Sequence, residues 1–239
     1  MRQLAGFTLP AVNLRGKWWK LLAACFLAAL LVYGINELTA PPPKEAVLQG
    51  LVKTLNAKSY RYRAVAVRVL EGKESIISEI NGEKNLRGVH LQGSLPIIKA
   101  EVEIYHLGDV LYRRDSLTKG WVVVPDKERA AVEKLIAEIN PLGAFHFTER
   151  DNIDVKYVGR EKAGGKTCRL YEVMGRGGNK YMELYWEDFN YRLWIDRKEG
   201  VIRRAEIMAE HRDNSRHLLK IDVELKDFNE PVDIKGPEV

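Results

Sequence analysis

The chain has 239 residues, 46% hydrophobic and 30% charged, with nineteen Gly, nine Pro and two Cys. That composition excludes a disordered or collagen-like chain, and two cysteines exclude a disulfide scaffold. A formal charge of +5 is modest for this length and calls for no nucleic-acid partner.

The first forty residues form a separate object. Leu21 to Ile35 is a run of fifteen positions without a charge. As a helix it is only ~22 Å long, against ~30 Å of bilayer hydrocarbon. Extended from Trp18 to Leu38 it reaches ~31 Å, with Trp18, Trp19 and Tyr33 suited to the interface and Lys20 snorkelling outward. The expectation is one transmembrane signal anchor over 18–38, after a short basic cytoplasmic segment, 1–17. Arg2, Arg15, Lys17 and Lys20 precede the run and Glu37 follows it. Positive-inside logic then puts the N-terminus in the cytoplasm and the rest of the chain outside, single-pass at the cell membrane. These forty residues carry +3 of the +5, so the remainder is nearly neutral.

Two other fates stay open. A cleaved signal peptide needs small residues before the cut, and Thr39-Ala40 followed by Pro41 is a poor match. Leu22-Ala23-Ala24-Cys25 resembles a lipobox, but most of the apolar run follows Cys25. Residues 39–43, ending in Pro41-Pro42-Pro43, form a tether of ~9 Å in polyproline form.

The domain, 44–239, opens with a helix over 44–56, where Val47, Leu48, Leu51 and Leu55 share one face. Strand patterns follow at 58–70, 73–80, 84–92, 97–107, 109–116 and 120–124, with turns at Asn81-Gly82 and Gly108-Asp109. A helix over 126–139 carries Val132, Leu135, Ile136 and Ile139 at i, i+3, i+4, i+7, with Asp126 as N-cap and Pro141 beyond its end. Strands resume at 151–161, 166–174, 190–197, 200–211 and 215–228. In the last, Ile221, Val223 and Leu225 alternate with Asp222, Glu224 and Lys226, the mark of one dry and one wet face. Residues 179–188 fit helix and strand equally. About ten strands joined by short turns argue for an antiparallel sheet and against βαβ units.

Catalytic and metal motifs are missing. His90, His106, His146, His211 and His217 include no HExxH spacing, although His211 and His217 can approach across a hairpin. Gly165-Lys166-Thr167 lacks the first P-loop glycine, since Arg160 occupies that position, so Ala163-Gly164-Gly165-Lys166 reads as a hairpin turn. Cys168 reads as a packed strand residue. The expectation is a non-enzyme without cofactor or metal. The aromatic stretch 181–194 holds Tyr181, Tyr185, Trp186, Phe189, Tyr191 and Trp194. It suits the wall of an apolar cavity, a membrane-dipping surface or plain core packing.

Three segments carry a family resemblance. YRLWIDRKEGVIRRAEI (191–207) resembles the strand-turn-strand unit of LolA-like lipoprotein carriers. LLKIDVELKDFNEPVDIKGPE (218–238) resembles their final strand and proline-containing tail, and KTLNAKSYRYRAVAV their opening helix and Tyr-rich strand. The resemblance covers roughly 44–238. It implies an α+β fold in which a curved antiparallel sheet, or half-barrel, holds helices on its concave face. It implies a membrane-anchored member of the bacterial envelope that binds a lipid, a lipoprotein acyl chain or another hydrophobic ligand between sheet and helices. The natural lining is Val47, Leu51, Leu55, Val132, Leu135, Ile136, Tyr181, Tyr185 and Trp186. The same faces would equally build a filled core, and a sensor or interaction domain with an envelope protein partner is the alternative.

Overall fold

A computed structural model describes residues 22–27, 41–139, 153–175 and 182–238. The chain divides into two units, Met1–Pro41 and Pro42–Val239. In the first, residues 22–27 are helical. The rest of the expected membrane span lies outside the described residues, and among these no helix is long and apolar enough to cross a membrane.

The second unit begins with helix α1, Pro43–Leu55. Pro43 is the first helical residue, a place where its missing N–H costs nothing. The tether therefore gives up its last proline to the helix. Ala46, Val47, Gly50, Leu51 and Thr54 form the buried face.

Eleven strands follow in chain order: β1 (Tyr60–Leu70), β2 (Lys73–Lys84), β3 (Gly88–Leu95), β4 (Ala100–Leu107), β5 (Val110–Arg114), β6 (Trp121–Val123), β7 (Asp154–Ala163), β8 (Lys166–Met174), β9 (Trp186–Asp196), β10 (Ile202–His211) and β11 (Asn214–Lys226). Helix α2, Asp126–Ile139, separates β6 from β7, and the single turn α3, Met182–Tyr185, precedes β9. Asp126 is the first helical residue and not the expected cap, since Glu128 and Arg129 donate their N–H groups to Pro125 O. Its carboxylate still faces the positive end of the helix. The ambiguous 179–188 resolves within its described part into α3 followed by the start of β9.

All strands join one sheet, in the order β6-β5-β4-β3-β2-β1-β11-β10-β9-β8-β7. Every pair is antiparallel. Two blocks of neighbouring strands, β1–β6 and β7–β11, thus meet where the first strand pairs with the last. Gly164 and Gly165, both at positive φ, turn β7 into β8. A strand follows Gly165-Lys166-Thr167, so no helix N-terminus is present there to hold a phosphate.

Register sorts the side chains into two faces. Tyr62 pairs with Leu225 and Gly82, Ala64 with Val223 and Ile80, and Leu91 with Ile104. Leu193 pairs with Ala205 and Tyr171. These residues form one continuous apolar core with Val47 and Leu51 of α1. Val132 of α2 packs on the same core, so both helices cover the same face.

The opposite face is mostly polar, but it carries Val65, Val67 and Val69 of β1 and an apolar island of Ala163, Cys168, Leu170 and Trp194. Arg192 and Arg204 each lie 5.0 Å from the Trp194 ring, whose Nε1–H donates to Glu161 at 2.8 Å. Cys168 is fully buried there, and burial pushes its thiol up to about 11. The β9–β10 turn is held by Asp196. Its Oδ1 accepts the N–H groups of Lys198 at 2.7 Å and Glu199 at 3.1 Å, and its Oδ2 pairs with Arg203 at 3.3 Å.

Candidate functional site

The apolar face is closed at one end and looser in the middle. At the closed end α1 lies on β7, β9 and β10. Thr54 Oγ1 donates to Gly50 O at 2.7 Å and accepts the N–H of Ile202 at 2.9 Å, which ties the helix to the start of β10. Gly50 sits so close to Ile195 that an added Cβ would lie 2.8 Å from its Cδ1. Val47 is 0% exposed and Leu51 7%. Both are filled-core residues at this contact.

Toward the β1–β2 turn the packing loosens. Ile77, Val102, Val132, Trp186 and Ile221 are partly buried against the core. Ala64 and Ala66 of β1, and Ala205 and Ala209 of β10, flank β11 on this face and leave more room than Leu or Phe would. This stretch is the candidate site. Along β1, β11 and β10 the inward side chains Ala64, Val223, Leu219, Ala205, Ile207 and Ala209 are buried, while Ala66 and Ile221 beside them are partly exposed, with Ile77, Val102 and Trp186 at the margins.

The expected lining residues divide accordingly. Val47 and Leu51 belong to the closed end, Leu55 is partly buried beside it, and Val132 and Trp186 border the loose stretch. Tyr185 is 62% exposed. The side chains of Leu135 and Ile136, and Tyr181 entirely, lie outside the described residues.

Polar groups on the apolar face are mostly satisfied. Lys84 Nζ donates to Leu55 O at 2.8 Å, and burial lowers its pKa. Arg113 reaches Glu128 of α2 at 3.6 Å. Burial pushes the Tyr191 hydroxyl up, and the neighbouring Glu183 charge adds to the shift. Arg68 was missed in the sequence, where VRVL reads as an ordinary alternation. Pairing with Leu219 places it on the apolar face, and its Nε is shielded from solvent with no hydrogen-bond partner.

Two clefts, of about 380 Å³ and 310 Å³, lie on the opposite, polar face. Their charges are already paired, as in Arg63–Glu79, Arg61–Glu83 and Arg114–Glu103. Both linings mix these charged groups with some apolar surface, from Val102 in the first and Tyr62 in the second. The His211 and His217 rings do meet across the hairpin, with centroids 6.1 Å apart, and His211 packs edge-on against Trp186. Among the described residues no group of three or more side chains could hold a metal ion.

The architecture matches solved structures. The crystal structure of the lipoprotein LppX from Mycobacterium tuberculosis superposes with a TM-score of 0.51 at 14% identity, covering 80% of this chain and 97% of that one. The chain shares the fold of LppX. LprF from Mycobacterium bovis gives 0.49 at 12% identity over 83% of this chain and 98% of that one. A LolA superfamily protein from Nitrosomonas europaea gives 0.34 at 10% identity over 82% and 96%. At such identities the likeness is one of architecture. No family model and no curated protein matches the sequence. In this LppX-like fold both helices share one face of the sheet, and the partly buried Ile77, Val102 and Ile221 lie on that face.

Proposed function

We propose that the chain is a membrane-anchored extracytoplasmic protein that binds a lipid or another hydrophobic ligand on the helix-covered face of a curved sheet. The observation that carries this reading is the set of partly buried apolar side chains on the helix-covered face, among them Ile77, Val102, Val132, Trp186 and Ile221, packed around a core that is otherwise buried. Burying a chain of about fourteen carbons there yields ~11 kcal/mol gross at ~0.8 kcal/mol per methylene. Ordering costs subtract from that figure. The apolar run Leu21–Ile35 with its basic N-terminal flank supports the anchor and its orientation.

The test is photo-crosslinking of the full chain in membranes with a diazirine-bearing fatty acid, followed by peptide mapping. Adducts on β1, β2 and β11, competed away by unlabelled fatty acid, are the expected result. Adducts confined to residues 18–38 would refute ligand binding by the domain while leaving the anchor standing.

A further inference from the structure

We propose that the polar face of β1 to β5 binds an uncharged glycan chain in a trough that runs across the strands. The site lies on the face opposite the lipid reading above, and neither depends on the other.

Asn81-Gly82 has the composition of a hairpin turn, yet it lies inside β2. Asn81 pairs there with Arg63 and Gln92, and Gly82 with Tyr62 and Leu91. Asparagine and glycine are both poor strand formers. Packing accounts for Gly82, because the Tyr62 ring occupies the space where a Cβ would stand. Packing does not account for Asn81. Its side chain is exposed on the polar face, as is that of Gln92 opposite, and among the described residues neither amide has a hydrogen-bond partner. A residue that weakens its own strand without a packing gain marks a position kept for function.

Asn81 and Gln92 line both clefts of this face, so the two join there into one trough. From β1 to β5 it spans about 19 Å at ~4.8 Å per strand, the length of an oligomer and not of a single ring. Ion pairs form its walls, Arg63–Glu79 at 2.8 Å toward β1 and Arg114–Glu103 at 2.8 Å toward β5. Between them His90 sets its ring nitrogens 3.3 Å from Glu83 and from Glu103. Tyr105 stacks on His90 with centroids 3.9 Å apart, and Trp121 meets Tyr105 edge-on at 5.1 Å. Because the wall charges cancel in pairs, an ionic ligand would lose hydration there for little Coulomb return. Hydroxyls both donate and accept, as the two amides do, and a paired guanidinium or carboxylate keeps spare N–H groups or lone pairs. The mixture of polar groups with apolar surface from Tyr62 and Val102 suits sugar rings, polar at the rim and C–H on the faces. Pairing also fixes the wall side chains before a ligand arrives, which lowers the ordering cost of binding.

The test titrates the full chain in nanodiscs by isothermal calorimetry. The probes are three uncharged hexasaccharides, of β-1,4-glucose, α-1,4-glucose and β-1,4-N-acetylglucosamine, and two charged controls, a glucosamine hexamer and a galacturonate hexamer. At least one uncharged oligomer should bind, and more tightly than either control. Asn81→Ala and Gln92→Ala should each weaken that binding about fivefold, the size of one neutral hydrogen bond. Asn81→Thr introduces a better strand former, so it should melt no lower than the unsubstituted protein and still bind as weakly as Asn81→Ala. That split separates a binding role from a structural one. The assignment is overturned when none of the uncharged oligomers binds, when a charged control binds more tightly, or when Asn81→Thr and Gln92→Ala bind as well as the unsubstituted protein. Each of these results leaves the lipid proposal standing, since its adducts lie on the other face.

Discussion

Removing the Asp196 carboxylate should cost the domain about 3 kcal/mol, because three groups depend on it. Its side chain is 3% exposed and that of Arg203 8%. In Asp196→Ala two backbone N–H groups of the β9–β10 turn, from Lys198 and Glu199, lose their acceptor, and Arg203 keeps only Glu199, at 2.7 Å. Asp196→Asn keeps an acceptor for the turn and loses only the charge, so about half that loss is expected. For a domain of this size ~1 kcal/mol moves the midpoint by ~2–4 °C, so Asp196→Ala should melt ~6–12 °C lower by circular dichroism. Burial alone would raise the Asp196 pKa, but hydrogen bonds from Glu199 and Lys198 and the Arg203 charge outweigh it and leave it lowered. An aspartate with a depressed folded pKa stabilises fully above its unfolded value of ~3.9. That contribution is lost as pH falls through the folded value. The gap between wild type and Asp196→Asn should therefore be constant near neutral pH and close below about pH 4. Identical melting of the two proteins at pH 7, or a gap that persists unchanged at pH 2, would refute this account.

Other perturbations are equally direct. Thr54→Val leaves the buried N–H of Ile202 without an acceptor and should cost ~1–3 kcal/mol in urea denaturation, with Thr54→Ser restoring most of it. Gly93→Ala would place a Cβ 2.2 Å from Glu79 O, a backbone atom that cannot swing aside. It should destabilise by more than ~2 kcal/mol, and no more soluble protein than wild type should be recovered. Cys168, buried with its thiol pushed up to about 11, should resist iodoacetamide at pH 8 until urea unfolds the domain. Rapid native labelling of Cys168 would show that the Trp194 island opens.

Much of the sheet was legible in the residues. The 126–139 periodicity gives α2 at the same bounds, and Ile221, Val223 and Leu225 point inward as their alternation requires. The boundary at Trp186 was hidden, because Tyr181, Leu184 and Tyr185 serve a helix as well as Glu183 and Tyr185 serve a strand. Strand order was not readable, since no local turn signal links β1 to β11. The site was less legible still. Val47 and Leu51 have the same spacing whether they line a space or seal it, and Gly50 against Ile195 decides for sealing at that contact. β1 is apolar on both sides, with Val65, Val67 and Val69 on one and Ala64 and Ala66 on the other. Alternation alone would send the larger valines inward and Arg68 out to water. Pairing with β11 reverses that assignment, because β11 turns its branched side chains toward the alanines.

The seam between β1 and β11 also constrains how the polypeptide must be assembled. As the chain emerges from the ribosome, β1 can zip onto β2 at once, but its other edge has to wait for almost the last strand synthesised. Until then a row of unsatisfied amides and carbonyls beside valines is open to any extended stranger. Loss of only the final strand would disconnect the two halves and leave each with a raw margin, so premature termination near residue 214 should yield aggregates instead of a smaller working protein.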